Sequence, residues 1–288
     1  MTRAARSGRP ANATFMSAAP DARLAVRPIT RVAVGALEPM EDAVAVERAL
    51  EIRIDGRALA VTLCTPGHDA ELALGFLAGE GVIVRRADVA ALTLVPAACA
   101  DQPAAVEVTL APGIRLDWAK LERHFAATAA CGLCGRAPLE SLRAGLTPIP
   151  AGAPVEAGAL AALHGRLRDA QIALAATGGL HAAAFCDEAL AVQVVREDVG
   201  RHNAVDKVAG WLLEAGRYPV AAGVLWVSGR AGAEIVLKAA RARIPVLAAV
   251  GAPSTLAVDL AAAAGMTLVG FLREGRMNVY AGLERIRT

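Results

Sequence analysis

The sequence predicts an α/β protein, with a largely parallel sheet buried on both faces and a smaller α+β region before it. Three observations predict this class. After about residue 150, short apolar segments such as PVLAAV alternate with amphipathic helical segments, a pattern typical of strands covered by helices on both faces. Before residue 125, apolar and polar residues alternate singly, which indicates hairpins. Between these regions, the proline-bearing stretch APLESLRAGLTPIPAGAP indicates a linker.

In the N-terminal region, the segment Glu51–Leu63 alternates around Asp55-Gly56, which predicts a β-hairpin with a type I′ turn. The following DAELALGFLAGEG has helical spacing and acidic residues in its first turn. ADVAALTLV and AAVEVTLA predict two further strands, and Asp117 predicts the start of a helix that leads to Cys131.

Beyond the linker, helices and strands alternate. Helices are predicted at 157–170, 203–215, 231–243 and 254–265, and strands around 180–185, 190–195, 220–227, 245–250 and 266–271. The predicted organisation is therefore a disordered tail (1–30), an N-terminal α+β region (31–125), a mobile loop and linker with two cysteines (126–150), and an αβα domain (151–288).

Composition narrows the functions that are expected. The net charge of +2 gives no general electrostatic reason to bind nucleic acid. No segment reaches the roughly 18 uncharged apolar residues that a membrane-spanning helix needs, and the first thirty residues lack the apolar core of a secretory signal. A cytoplasmic protein with reduced thiols is expected.

Four predicted strands end in polar, glycine-bearing loops, namely 196–207, 228–234, 251–255 and 272–278. In such sheets ligands bind at the carboxyl ends of the strands, where helix N-termini present N–H groups to phosphate. Ser228 and Ser254 are predicted helix caps. The guanidinium groups suited to phosphate or purine are those of Arg201, Arg230, Arg273 and Arg276. A large anion, with a nucleotide as one candidate, is the predicted ligand.

Two histidines adjoin these loops. His202 lies near Asp198 and Asp206 in sequence and is a candidate base, metal ligand or loop anchor. His181 follows two glycines at the start of a strand, where it either faces a ligand or packs at the end of that strand.

The segment CGLCG, with Cys131 and Cys134, has three candidate chemistries: half of a zinc site, a thioredoxin-like redox pair, or a carrier of activated sulfur. A structural zinc site needs four ligands, and the other three cysteines lie singly at 64, 99 and 186. A thioredoxin-like pair follows the first strand of a βαβ unit, whereas this pair follows a predicted helix. The signature of zinc deaminases fails, because Ala130 stands where it requires proline and no Glu lies two residues after His181. Spacing alone leaves the three chemistries open.

Seven motifs in order carry a resemblance to a known family: TPGHDAELALGFLAGEG, CGLCGR, TGGLHAAAF, REDVGRHNAVDK, SGR, GAPSTLAVDLA and TLVGFLREGRMNVY. Together they closely resemble the formate dehydrogenase accessory sulfurtransferase family, from about residue 30 to the end of the chain. The resemblance implies a sulfur carrier that accepts sulfur from a cysteine desulfurase and passes it to the molybdenum (or tungsten) bis(molybdopterin guanine dinucleotide) cofactor. The sulfurated cofactor is then received by formate dehydrogenase.

The resemblance also assigns residues. It implies that Cys131 carries the persulfide, that Cys134 is a second relay or resolving thiol, and that no metal is held directly by the protein. The implied cofactor-binding residues are Phe271, Leu272, Arg273, Glu274, Gly275 and Arg276. Weaker candidates to line the site are Arg201, His202, Ser228 and Arg230. The implied fold is a three-layer αβα sandwich similar to cytidine deaminases, in a homodimer.

Two other functions are alternatives to sulfur transfer. One is a chaperone that binds and delivers the cofactor without transferring sulfur. The other is a thiol–disulfide oxidoreductase, in which Cys131 and Cys134 would form a reversible disulfide.

Overall fold

The computed structural model describes residues 21–99, 102–118, 121 and 146–288. Cys131 and Cys134, most of the predicted tail and most of the predicted helix after Asp117 lie outside these residues. No described helix combines the length and the apolar composition that a membrane-spanning helix needs.

The described strands are β1 (Leu24–Ala33), β2 (Ala36–Ala45), β3 (Arg48–Ile54), β4 (Arg57–Cys64), β5 (Val89–Val95), β6 (Ala104–Leu110), β7 (Val155–Glu156), β8 (His181–Cys186), β9 (Val192–Asp198), β10 (Val224–Val227), β11 (Val246–Ala249), β12 (Thr267–Arg273), β13 (Arg276–Ala281) and β14 (Ile286–Arg287). The described α-helices are α1 (Asp69–Glu80), α2 (Ala157–Asp169), α3 (Ile172–Thr177), α4 (Arg201–Glu214), α5 (Ala233–Arg241) and α6 (Thr255–Ala263). Single 3-10 turns occupy Arg86–Asp88 and Leu283–Arg285.

The N-terminal part contains a four-stranded sheet in the order β4-β3-β6-β5. Its first hairpin turns at Asp55 and Gly56, whose φ values of 49° and 79° are both positive. A type I′ turn requires such values, so the predicted hairpin is confirmed. α1 follows β4 and ends at Gly81, which has a left-handed conformation.

A separate two-stranded ribbon, β1 with β2, precedes this sheet. The sequence prediction missed the ribbon, and it was wrong to place the segment Leu24–Thr30 in a disordered tail, because these residues pair with β2. Pro28 and Pro39 interrupt the apolar alternation that would have indicated the two strands.

The C-terminal part is built on a six-stranded sheet in the order β13-β12-β11-β10-β8-β9. The predicted largely parallel sheet is wrong: β10, β11 and β12 are parallel, whereas β8 pairs antiparallel with both of its neighbours and β13 pairs antiparallel with β12. Because β8 is antiparallel to both β9 and β10, β9 runs in the same direction as β10, β11 and β12. The carboxyl ends of these four strands therefore meet at one edge, as the sequence predicted.

Helices lie on both faces of this sheet. Along β10, Val224 and Trp226 pack with α2 on one face, while Leu225 and Val227 face the cluster that includes α4, α5 and α6. The alternation is that of a strand buried on both sides. The mixed α/β class is thus confirmed, and the likeness to cytidine deaminases stays a prediction.

The two predicted regions share one hydrophobic core, which holds residues of β3, α1, α4 and β11. α1 and α4 meet through paired glycines. A Cβ atom on Gly75 would lie 1.7 Å from the backbone oxygen of Asp206, and one on Gly210 would lie 1.8 Å from that of Glu71. Only glycine at both crossings lets the helix backbones approach so closely.

The structure corrects two further predictions and adds one helix. Strand β10 starts at Val224 rather than at residue 220. The predicted loop 272–278 is a tight hairpin turn at Glu274-Gly275, because β12 continues to Arg273 and β13 begins at Arg276. The short helix α3 was not predicted, since six residues of Ala, Leu, Ile and Thr carry little helical periodicity.

Candidate functional site

The carboxyl ends of four strands form one surface of the six-stranded sheet, which we call the polar edge. It comprises 199–201, 228–230, 250–254 and 271–276, together with His181 at the start of β8. Backbone hydrogen bonds join its loops: Gly251 N donates to Gly229 O at 2.8 Å, and Phe271 N donates to Gly251 O at 3.1 Å. These bonds join three of the loops directly, and a Cβ atom on Gly229 would lie 3.9 Å from the Cβ atom of Arg201, which brings the fourth loop close to them.

Gly251 is the point where two of these loops touch. A Cβ atom there would lie 2.8 Å from Gly229 O and 2.9 Å from the Cα atom of Arg230. Both neighbours are backbone and cannot give way, so a side chain at this position would push the loops apart.

Three helices begin at the polar edge. α4 and α5 start after Gly200 and Gly232, neither of which supplies a side-chain cap. α6 starts after Ser254, whose hydroxyl accepts from Ala257 N at 3.2 Å, as predicted for a cap. The first turns of α4 and α5 thus direct backbone N–H groups and the positive end of the helix dipole toward this edge.

Ser228 was predicted to cap a helix, and this prediction is wrong. Its hydroxyl accepts a hydrogen bond from Ala182 N at 2.9 Å, and its own N–H donates to Ala182 O. The residue prolongs the pairing of β10 with β8, because it continues the strand rather than starting α5.

His181 lies beside two arginines of the polar edge. It is half-buried, and a Cβ atom on Gly229 would be 3.4 Å from its Nδ1. Burial lowers the pKa of His181, and the positive charges of Arg201 and Arg230 lower it further. The imidazole is therefore neutral at neutral pH and offers one donor and one acceptor nitrogen.

The segment Phe271–Arg276 forms the end of the hairpin β12-β13. Phe271 has a φ of 52° and is 44% exposed, so a left-handed backbone presents its ring to solvent. Leu272 is buried and anchors the segment. Arg273 donates through Nη1 to the carbonyls of Leu272 and Val250, at 2.7 and 2.8 Å. Glu274, Gly275 and Arg276 are exposed.

Helix α2 supports this segment from beneath, which sequence reasoning did not anticipate. A Cβ atom on Gly165 would lie 2.8 Å from Oε1 of Glu274. Burial lowers the pKa of the adjacent His164, and the charges of Arg273 and Arg168 add to this effect. The glycine is the sequence signal, because it interrupts an otherwise good helix where the hairpin turn comes close.

A buried ionic cluster lies directly below the polar edge. Asp198 accepts from Thr65 N (3.0 Å), Gly200 N (2.9 Å) and Asn203 Nδ2 (3.0 Å), and its Oδ2 lies 2.7 Å from Lys207 Nζ. Both charged side chains are at most 1% exposed. Thr65 is completely engaged, since Val199 N donates to its hydroxyl and Lys207 Nζ donates to its carbonyl.

A second buried cluster connects α4 with α5. Lys238 Nζ contacts both oxygens of Asp206, at 2.7 and 2.8 Å, and lies 3.8 Å from Glu234. Burial raises the pKa of Asp206 to about 7, against the lowering effect of Lys238. His202 Nδ1 lies 3.3 Å from Glu234 Oε1. Of its three predicted roles, this contact favours that of a loop anchor.

The described cysteines are Cys64, Cys99 and Cys186. Burial raises the pKa of both Cys64 and Cys186 to about 12, so neither forms a thiolate at neutral pH. Cys99 is exposed. Within the described part of the chain, no three His, Cys, Asp or Glu side chains are grouped as a metal site.

The fold and the polar edge define an α/β protein whose mixed sheet gathers arginines and helix N-termini at one end. Comparison with known proteins is consistent with this architecture. The solved structure of a candidate formate dehydrogenase accessory protein from Desulfotalea psychrophila superposes with a TM-score of 0.75 and 24% identity, covering 92% of this chain and all of that one.

Curated relatives match over almost the same length. The sulfur carrier protein FdhD of Streptomyces coelicolor is 47% identical over 90% of this chain and 94% of its own, and that of Mycolicibacterium paratuberculosis is 48% identical over 90% and 97%. The protein of the same name from Anaeromyxobacter dehalogenans is 48% identical over 94% and 96%. The FdhD/NarQ family model matches residues 45–287. The chain belongs to the FdhD/NarQ family.

Proposed function

We propose that this protein is a sulfur carrier that serves formate dehydrogenase. It takes sulfur from a cysteine desulfurase as a persulfide on Cys131 and delivers it to the molybdenum bis(molybdopterin guanine dinucleotide) cofactor. The observation that supports this most is the meeting of the Phe271–Arg276 segment with Arg201, Arg230 and two uncapped helix N-termini at the polar edge. The name of its curated relatives, sulfur carrier protein, also supports it.

The chemistry of the polar edge suits the proposed cargo. Such a cofactor carries phosphate groups and guanine bases, so it needs cations, N–H donors and an aromatic surface. Arg201 and Arg230 supply guanidinium groups for phosphate, and the first turns of α4 and α5 supply N–H groups. The exposed ring of Phe271 offers a face on which a guanine base can stack.

The sulfur step uses a thiolate. The Cys131 thiolate attacks the outer sulfur of the donor's persulfide, a new S–S bond forms, and the donor cysteine leaves as a thiolate. Attack by Cys134 on Cys131 then breaks the outer S–S bond and releases the sulfur as sulfide to the cofactor. The Cys134 thiolate supplies the electron pair for this step, and a thiol reductant reopens the Cys131–Cys134 disulfide that forms. Cys64 and Cys186 are unsuited, because burial keeps both protonated.

The proposal also includes its partners and setting. The cysteine desulfurase is the donor, formate dehydrogenase receives the sulfurated cofactor, and the carrier acts in the cytoplasm as a homodimer, as the family resemblance implies.

The decisive experiment is the intact mass of the protein after incubation with a cysteine desulfurase and cysteine, without reductant. We expect mass added in whole sulfur atoms, removed by a reducing agent and absent from Cys131→Ala. The matched control is Cys99→Ala, which removes an exposed cysteine outside the motif and should load like the unmodified protein. Loading that persists in Cys131→Ala would contradict the proposal.

The alternative of a cofactor-binding chaperone has the polar edge in its favour, since binding alone needs no thiol. It predicts that Cys131→Ala still supports an active formate dehydrogenase. A sulfur carrier predicts that this variant does not, although it keeps its affinity for guanine nucleotides.

A further inference from the structure

A second site candidate lies at the edge of the six-stranded sheet opposite the polar edge. A cavity of about 30 Å³ opens there, where strands β10 and β11 begin. Its lining includes Pro154, Glu188, Ala222, Pro245 and Arg285. Arg285 is the cation of this lining, and it is 3% exposed.

Only part of the Arg285 guanidinium is satisfied by the described residues. Its Nη2 donates to Pro150 O at 2.8 Å and lies 3.4 Å from Ile149 O. Nε and Nη1 are buried, and neither has a hydrogen-bond partner among the described residues. The described carboxylate at ion-pair distance is that of Glu284, whose Oε1 lies 3.8 Å from Nη1 of Arg285. The Glu284 side chain is itself 71% exposed.

Such a cation is unusual in a folded protein. A buried charge is ordinarily paired with an opposite charge, because removing it from water is costly. Two carbonyls and a distant, solvated carboxylate neutralise Arg285 poorly. A buried guanidinium with spare N–H donors that lines a cavity is therefore suited to an anion.

We propose that this cavity binds a small carboxylate, of one or two carbons, against Arg285. The cavity offers about the volume that two water-sized groups occupy, which matches the two oxygens of a carboxylate. Pro154, Pro245 and Ala222 provide apolar surface for a hydrogen or methyl group. Glu188 also lines the cavity, and because its repulsion grows with the charge of the ligand, it disfavours multiply charged ions such as phosphate more strongly than a monocarboxylate.

The proposed site goes beyond the sulfur-carrier function and does not depend on it. Formate is the smallest ligand of the class. Because Arg285 also holds the carbonyls of Ile149 and Pro150, occupancy would fix the position of the segment that follows the cysteine-bearing part of the chain. The site and the polar edge lie at opposite ends of the strands, so the two ligands would not compete.

The test is calorimetric titration of the full chain with formate and with acetate, in a buffer free of other carboxylates. A ligand of so few atoms binds only in the millimolar range, and we expect saturable binding there for both. Hexanoate and sulfate, which exceed the cavity in size or charge, should not bind. Absence of saturable formate or acetate binding, or binding of sulfate alone, would overturn the proposal.

Variants assign the binding to the cavity. Arg285→Met should weaken acetate binding at least tenfold. Ala222→Met fills the cavity and leaves the contacts of Arg285 with Ile149 and Pro150 in place, so it should abolish binding without unfolding the protein. Arg287→Met, which alters an exposed residue outside the lining, should bind like the unmodified chain. Unchanged binding in folded Ala222→Met would place the ligand elsewhere and overturn the proposal.

Discussion

The charges at the polar edge and those immediately below it are arranged in opposite ways. Below the edge, Asp198 and Lys207 are completely buried and fully hydrogen-bonded. At the edge, Arg201, Arg230 and Arg276 form no ion pair with a described carboxylate. The comparison separates charges that hold the edge in shape from charges that remain available to a ligand.

The physical reason lies in the different costs of the two arrangements. A buried pair contributes little net stability when intact, but loss of one partner leaves an uncompensated charge in a poorly polarisable interior. An exposed arginine is solvated by water and can exchange that water for phosphate at low cost. Substitution of a buried charge should therefore mainly lower stability, whereas substitution of an exposed arginine at the polar edge should mainly weaken ligand binding.

The largest effect is expected for Lys207→Met. Removal of the ammonium leaves Asp198 charged and buried, which should lower the free energy of unfolding by about 3–5 kcal/mol. Chemical denaturation at neutral pH measures this loss. Arg287→Met is the control, because it breaks an exposed ion pair with Glu156 that is worth at most about 1 kcal/mol. Similar losses of unfolding free energy in Lys207→Met and Arg287→Met would show that the buried pair is no more sensitive to substitution than an exposed pair.

A smaller, pH-dependent effect is expected for Glu71→Gln. Burial would raise the pKa of Glu71, but hydrogen bonds from Arg196 and His68 outweigh it and hold the pKa below 4.5. The stabilisation is therefore complete above pH 4.5 and is lost as the pH falls through the folded-state pKa. We expect a loss of about 2 kcal/mol at pH 7. The gap between the variant and the unmodified protein should narrow in acid, and a gap independent of pH would contradict the assignment.

The smallest effect on stability, but a clear effect on binding, is expected for Arg230→Ala. The free energy of unfolding should change by no more than about 0.5 kcal/mol, as for other surface substitutions. Guanosine diphosphate serves as the probe, because it represents one of the two guanine nucleotide units of the proposed cofactor. The affinity of the variant for this probe should fall about tenfold, because a charged phosphate contact is lost. Calorimetry checks the affinity, with Arg287→Met as the control. An unchanged affinity would exclude Arg230 from the site.

Much of the fold could be predicted because local chemistry determined it. Asp55-Gly56 accepts the positive φ values of its turn, and four short apolar strands have helices on both sides. The direction of β8 could not be predicted, since HAAAFC carries no information on which way its neighbours run. β13 did leave a signal: Met277, Val279 and Ala281 alternate with polar residues directly after the Glu274-Gly275 turn.

The polar edge was predictable for a different reason. Its loops follow strand ends in the sequence, and parallel strand ends meet in space. The buried layer below was harder to predict, because Asp198 and Lys207 are partners through tertiary packing. One clue is that Ala204 and Gly210 lie one helical turn before and after Lys207, so Lys207 shares a face of α4 with small, buried residues.

Thr65 connects the N-terminal part of the molecule to this buried layer, and that connection has a consequence for cooperativity. Its amide bonds to Asp198 of β9, its hydroxyl to Val199 and its carbonyl to Lys207 of α4. The N-terminal sheet therefore cannot detach by itself without also exposing the partners of Lys207. We expect the Thr65 amide to exchange its hydrogen only when the whole chain unfolds, so that both parts of the molecule melt as a single unit.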